Sequence, residues 1–125
     1  MVYSREQFEQ LVARALDDLP SQVKSYLKNI AVVVDDVPTA EQNSGHEDGI
    51  LLGLYEGIPE NEWGKGLGGM LPDKITLFQR NIEAIAQTAE QIEKEVRDTV
   101  WHEIAHYYGF DDEEIAGLSK NREKG

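Results

Sequence analysis

The chain has 125 residues, 40% of them hydrophobic and 8% aromatic, enough apolar material for one compact domain over 1–125 and too much for disorder. It contains no cysteine, which excludes disulfides, thiolate metal sites and cysteine catalysis, and no apolar run approaches the ~20 residues needed to span a bilayer. Its 24 acidic against 12 basic residues leave a net charge of −12, a surface that repels nucleic-acid backbones and anionic lipid headgroups. Residues 1–6 carry no basic stretch leading into an apolar one, so a cytoplasmic protein is expected.

In chain order, Ser4 and Gln7 have capping-box spacing, and Phe8, Leu11, Val12, Ala15, Leu16 and Leu19 follow at helical intervals up to Pro20. Pro20 suits the first position of a short second helix carrying Val23, Tyr26 and Leu27. The β-branched run Ile30-Ala31-Val32-Val33-Val34 predicts a buried strand ending at Asp35-Asp36. Residues 37–48 are polar and read as a loop, 49–57 as a second strand bounded by glycines, and 59–72 as a long glycine-rich connection. Lys74 to Phe78 predicts a third strand. From Asn81 the helical period returns through Ile82, Ile85, Ala86, Ala89, Ile92, Val96, Val100 and Ile104, as one helix or as two with a break near Gln87-Thr88. Gly109 is placed to cap it, Asp111 to Leu118 to form a last short helix, and 119–125 to fray. This order predicts an α+β domain, a small mixed sheet with helices on one face.

The chemistry gathers in His102-Glu103-Ile104-Ala105-His106, which falls within the last long helical segment. Residues four apart on a helix lie only about 40° apart around its axis, so both imidazoles can reach one metal ion. Zinc suits neutral imidazole nitrogen, prefers four ligands and keeps one position for water in a catalytic site. Glu103 lies about 100° from His102 and about 60° from His106, beside the metal, where it can act as a general base. Gly109 permits a sharp turn, after which Asp112 can return a carboxylate as third ligand; Asp111 is its near rival. Val96, Val100, Ile104 and Tyr107 form an apolar stripe on a face nearly opposite the histidines.

The string HExxHxxGxxD, from His102 to Asp112, resembles the zincin metallopeptidases, in the metzincin-like form in which Asp replaces a third His. The wider chain is similar to the small bacterial minimal-zincin family, through segments such as Ala31-Val32-Val33-Val34, Leu52-Gly53-Leu54-Tyr55-Glu56-Gly57 and Pro72-Asp73-Lys74-Ile75-Thr76-Leu77-Phe78. The resemblance implies a zinc ion on His102, His106 and Asp112, Glu103 as base, a peptide or protein substrate, and the motif helix packed beneath a mixed sheet. It also implies substrate added as a strand at a sheet edge, for which 50–57 is the candidate. Both methionines, Met1 and Met70, precede the motif, so no Met-containing turn follows it.

Other features read as structure. The stretch from Gly64 to Gly69 lacks the Lys-Ser/Thr pair and following helix of a phosphate loop. His46 is assigned to the surface, and Trp101, Tyr107 and Tyr108 to packing. Three functions compete. The first is zinc-dependent peptide hydrolysis; the second is a zinc-binding interaction or regulatory domain with little turnover. The third, a metal-dependent RNA hydrolase, is disfavoured by the charge and by the Glu after His102. Oligomeric state has no signature in the sequence.

Overall fold

The computed structural model describes residues 3–44, 49–57 and 73–107. Among these residues, four helices and three strands run in the order α1 (Arg5–Asp17), α2 (Ser21–Leu27), β1 (Ile30–Asp35), β2 (Gly53–Glu56), β3 (Asp73–Phe78), α3 (Gln79–Ile85) and α4 (Ala89–Tyr107). This is the α+β arrangement with a small mixed sheet. Among these residues, too, no helix is long and apolar enough to cross a membrane.

The entry to α1 follows its sequence closely. Ser4 Oγ accepts from the Gln7 amide at 3.1 Å, and the Gln7 side chain accepts from the Ser4 amide at 3.1 Å, satisfying two donors that a helix start leaves open. Phe8, Leu11, Val12 and Ala15 then form the buried stripe. Pro20 sits one position earlier than expected, as the N-cap of α2 with φ −56° and ψ 148°, where its carbonyl accepts from the Lys24 amide. An N-cap needs extended backbone and no amide, and proline meets both conditions.

The sheet runs β1-β3-β2, with β1 parallel and β2 antiparallel to β3. The central place goes to the strand whose residues are buried on both faces: Ile75, Thr76, Leu77 and Phe78 are all fully buried. Ile75, Leu77 and Val34 face the helices and join a core with Phe8, Val12, Ile92, Val96, Val100 and Ile104. The second strand is shorter than the 49–57 expected, since only residues 53–56 pair with β3 as strand. On the other face Thr76 carries a buried hydroxyl with no hydrogen-bond partner among the described residues. Thr76→Val, of nearly the same shape, is therefore expected to raise stability by about 1 kcal/mol, seen as a higher urea midpoint with unchanged slope.

The helical period from residue 79 to 107 breaks at Ala86, whose φ of −107° and ψ of 140° are extended. Thr88 starts α4 by accepting from the Gln91 amide at 3.1 Å, while the Gln91 side chain accepts from the Gln87 amide at 2.6 Å. A polar network then ties the chain start to α3. Buried Glu83 accepts from the Tyr3 amide at 2.8 Å and from the Gln79 side chain at 3.2 Å. Arg5 reaches Gln79 Oε1, the Val34 carbonyl and Asp36 Oδ1 at 2.9, 2.8 and 2.6 Å. The Arg5–Asp36 pair is exposed and adds little energy; its effect is to hold α1, the end of β1 and α3 in one register.

Candidate metal centre

Helix α4 lays its apolar residues Ile92, Val96, Val100, Trp101, Ile104 and Ala105 on the core, which forces His102 and His106 to the opposite, exposed side. Trp101 is a core residue, as expected. The two imidazoles are 5.3 Å apart between ring centroids and nearly perpendicular at 89°. Two rings sharing one zinc through nitrogen, at bonds of about 2.0–2.1 Å and a tetrahedral angle, have centroids on the order of 5 Å apart. The pair therefore fits zinc in donor type and in spacing.

Among the described residues no third His, Cys, Asp or Glu completes a metal-holding group. Asp112, its rival Asp111, the capping Gly109, the expected helix of 111–118, His46, Tyr108 and the glycine-rich 64–69 stretch all lie outside the described residues.

Glu103 turns toward the sheet. Its Oε1 accepts from the backbone amide of Tyr55 on β2 at 2.9 Å, and the carboxylate is half-buried. The pairing pattern explains why that amide is available. Phe78 donates to the Leu52 carbonyl, and the register continues as Leu54 with Thr76 and Glu56 with Lys74. In an antiparallel ladder alternate residues face the partner, so Gly53 and Tyr55 turn their amides and carbonyls away from β3. Among the described strands, β2 is an edge.

Tyr55 is held through its side chain as well as its amide. Its hydroxyl donates to Asp73 Oδ2 at 2.6 Å, and its ring stacks on Tyr107 at 4.0 Å and 21°. Tyr107 thus departs from the core stripe expected for it. It is 52% exposed, and its ring finds its partner on β2 rather than in the core that Ile104 and Ala105 of the same turn still enter. Two glycines permit this close approach. A Cβ at Gly53 would lie 2.6 Å from Thr99 Cγ2, and one at Gly57 would lie 2.6 Å from the Tyr107 hydroxyl.

A cleft of about 320 Å³ runs beside the site. Residues 50–53 form one wall, and Glu95, Asp98, Thr99, His102 and Glu103 of α4 form the other. The first wall is fixed by Asn81, which donates to the Leu51 carbonyl at 2.8 Å. On the second, Asp98 accepts from Lys94 at 2.9 Å, and that hydrogen bond, with the Asp98 charge, holds the Lys94 ammonium above the ordinary lysine pKa.

Neither Tyr55 nor Asp73 stood out in the sequence as a site residue. The Tyr55–Glu103 contact joins residues 48 apart, one through its backbone, and no side-chain pattern announces it.

The family model described as zincin-like metallopeptidase matches residues 27–121. A solved structure of a conserved hypothetical protein from Thermus thermophilus is similar at 25% sequence identity, with a TM-score of 0.54, over 91% of this chain and 98% of that chain. No curated protein matches the chain.

Proposed function

This chain belongs to the zincin-like metallopeptidase family, and from that premise we propose that it hydrolyses peptide bonds with a single zinc ion and Glu103 as general base. The observation that carries the reading is the division of labour on one helix turn. His102 and His106 share the exposed side with fitting ring geometry, and Glu103 faces the strand edge along which an extended peptide would lie. His102, His106 and Asp112 would hold the metal. When bound, zinc supplies a Lewis acid that polarises the scissile carbonyl and makes water nucleophilic near neutral pH.

The chain's own groups do the rest. Glu103 takes the proton of the attacking water on a carboxylate oxygen and passes it to the departing nitrogen, so one residue serves as base and then acid. The backbone groups of Gly53 and Tyr55 face away from β3, and an extended substrate pairing along that side would be held through its backbone, with little demand on its side chains. Elemental analysis tests the metal half of the reading. The wild type is expected to keep about one zinc per chain after dialysis, and Asp112→Ala to lose most of it, because a two-ligand site binds weakly. A wild type that takes up no zinc when the ion is added back would refute the reading.

A further inference from the structure

The carboxylate of Glu103 occupies the hydrogen-bonding position that a substrate strand needs. Gly53 and Tyr55 are the two β2 residues whose backbone groups face away from β3, and the Tyr55 amide is spent on Glu103 Oε1 at 2.9 Å. A peptide adding to this edge as a further strand requires that amide as a donor. We propose that Glu103 and an incoming peptide compete for the Tyr55 amide, so that seating an extended peptide backbone is what releases the base.

The proposal rests on the peptidase reading above and adds a control to it. Tyr55 cannot resolve the competition by moving with its partner. Its ring is clamped on Tyr107 at 4.0 Å, its hydroxyl is bonded to Asp73 at 2.6 Å, and its strand is paired to β3. Glu103 is the party that can yield, since its side chain has rotatable bonds while its helix is anchored in the core by Val100, Ile104 and Ala105. Displaced from the strand, its carboxylate turns to the open cleft that also borders His102. The cleft contributes the room: its walls are the 50–53 segment and the α4 face that carries Glu103. A compact protein surface, which cannot extend a strand into this edge, leaves the carboxylate on Tyr55. Selection of unfolded or extended substrates then follows from the backbone alone.

The test compares zinc-loaded wild type with Glu103→Ala and Glu103→Gln in two measurements. The first is hydrogen exchange of the Tyr55 amide by NMR without peptide. Loss of the acceptor in Glu103→Ala is expected to speed exchange by about tenfold or more, whereas the carboxamide of Glu103→Gln retains most of the protection. The second is binding to an array of overlapping twelve-residue peptides covering the casein sequence. Glu103→Ala is expected to bind the same peptides about tenfold more tightly than wild type, because nothing need be displaced.

Equal Tyr55 exchange in wild type and Glu103→Ala, equal or weaker peptide binding by Glu103→Ala, or no binding by any form, would each overturn the proposal. Hydrolysis of the array peptides by wild type is scored separately. Turnover without tighter binding by Glu103→Ala removes the competition and leaves the peptidase reading standing. Tighter binding without turnover does the reverse.

Discussion

Glu103→Gln is expected to lower peptide hydrolysis by roughly 10²–10⁴-fold while zinc content stays at the wild-type level. The substitution preserves shape, and the new carboxamide oxygen can still accept from the Tyr55 amide, so the strand contact at 2.9 Å survives. What it removes is the ability to take a proton from water and return it to the leaving nitrogen. A quenched fluorescent peptide gives the rate and elemental analysis gives the metal. Wild-type turnover that persists in the variant would exclude Glu103 as base. A wild type that binds zinc without turnover would instead favour the zinc-binding interaction domain.

Zinc is expected to raise the thermal midpoint of the wild type, and His102→Ala and His106→Ala are each expected to abolish the rise. Ligand that binds only the folded state at about 1,000 times its dissociation constant contributes about 4 kcal/mol, which for a domain of this size is on the order of 10 °C. Both imidazoles are exposed and outside the core, so alanine at either position should leave the zinc-free midpoint within a few degrees of wild type. This separates metal binding from folding, because the same variants are silent in a chelator and altered in zinc. An undiminished zinc shift in the double variant would place the metal elsewhere.

These effects concentrate on a single helix turn because α4 does two jobs. Its buried residues at 92, 96, 100 and 104 recur every four positions and anchor it, while 102 and 106 recur at the same interval on the far side. Glu103 falls between the two faces and reaches the sheet edge. A histidine pair on one face and the Glu103 contact with the strand thus follow from the helical repeat once β2 lies alongside.

Local rules made much of this legible in the residues alone. The Ser4–Gln7 box, the apolar period of α1, the β-branched run of β1, the third strand and the HExxH spacing each depend on neighbours within a few positions. The break between α3 and α4 had a local signal as well, in the Thr88-x-x-Gln91 spacing, but an unbroken apolar period overlay it.

What the tertiary structure alone decided is which distant groups meet. The order β1-β3-β2 leaves β2 at an edge of the described sheet, and the antiparallel register turns the Tyr55 amide outward to Glu103. The same packing moved Tyr107 from the predicted core stripe to a stack on Tyr55, and buried Glu83 where the Tyr3 amide and Gln79 satisfy it. Backbone amides carry no residue identity, and a contact across 48 residues depends on topology and pairing phase. Periodicity along the chain encodes which face of each element is apolar, and only the assembled sheet determines what that face, or the edge beside it, comes to touch.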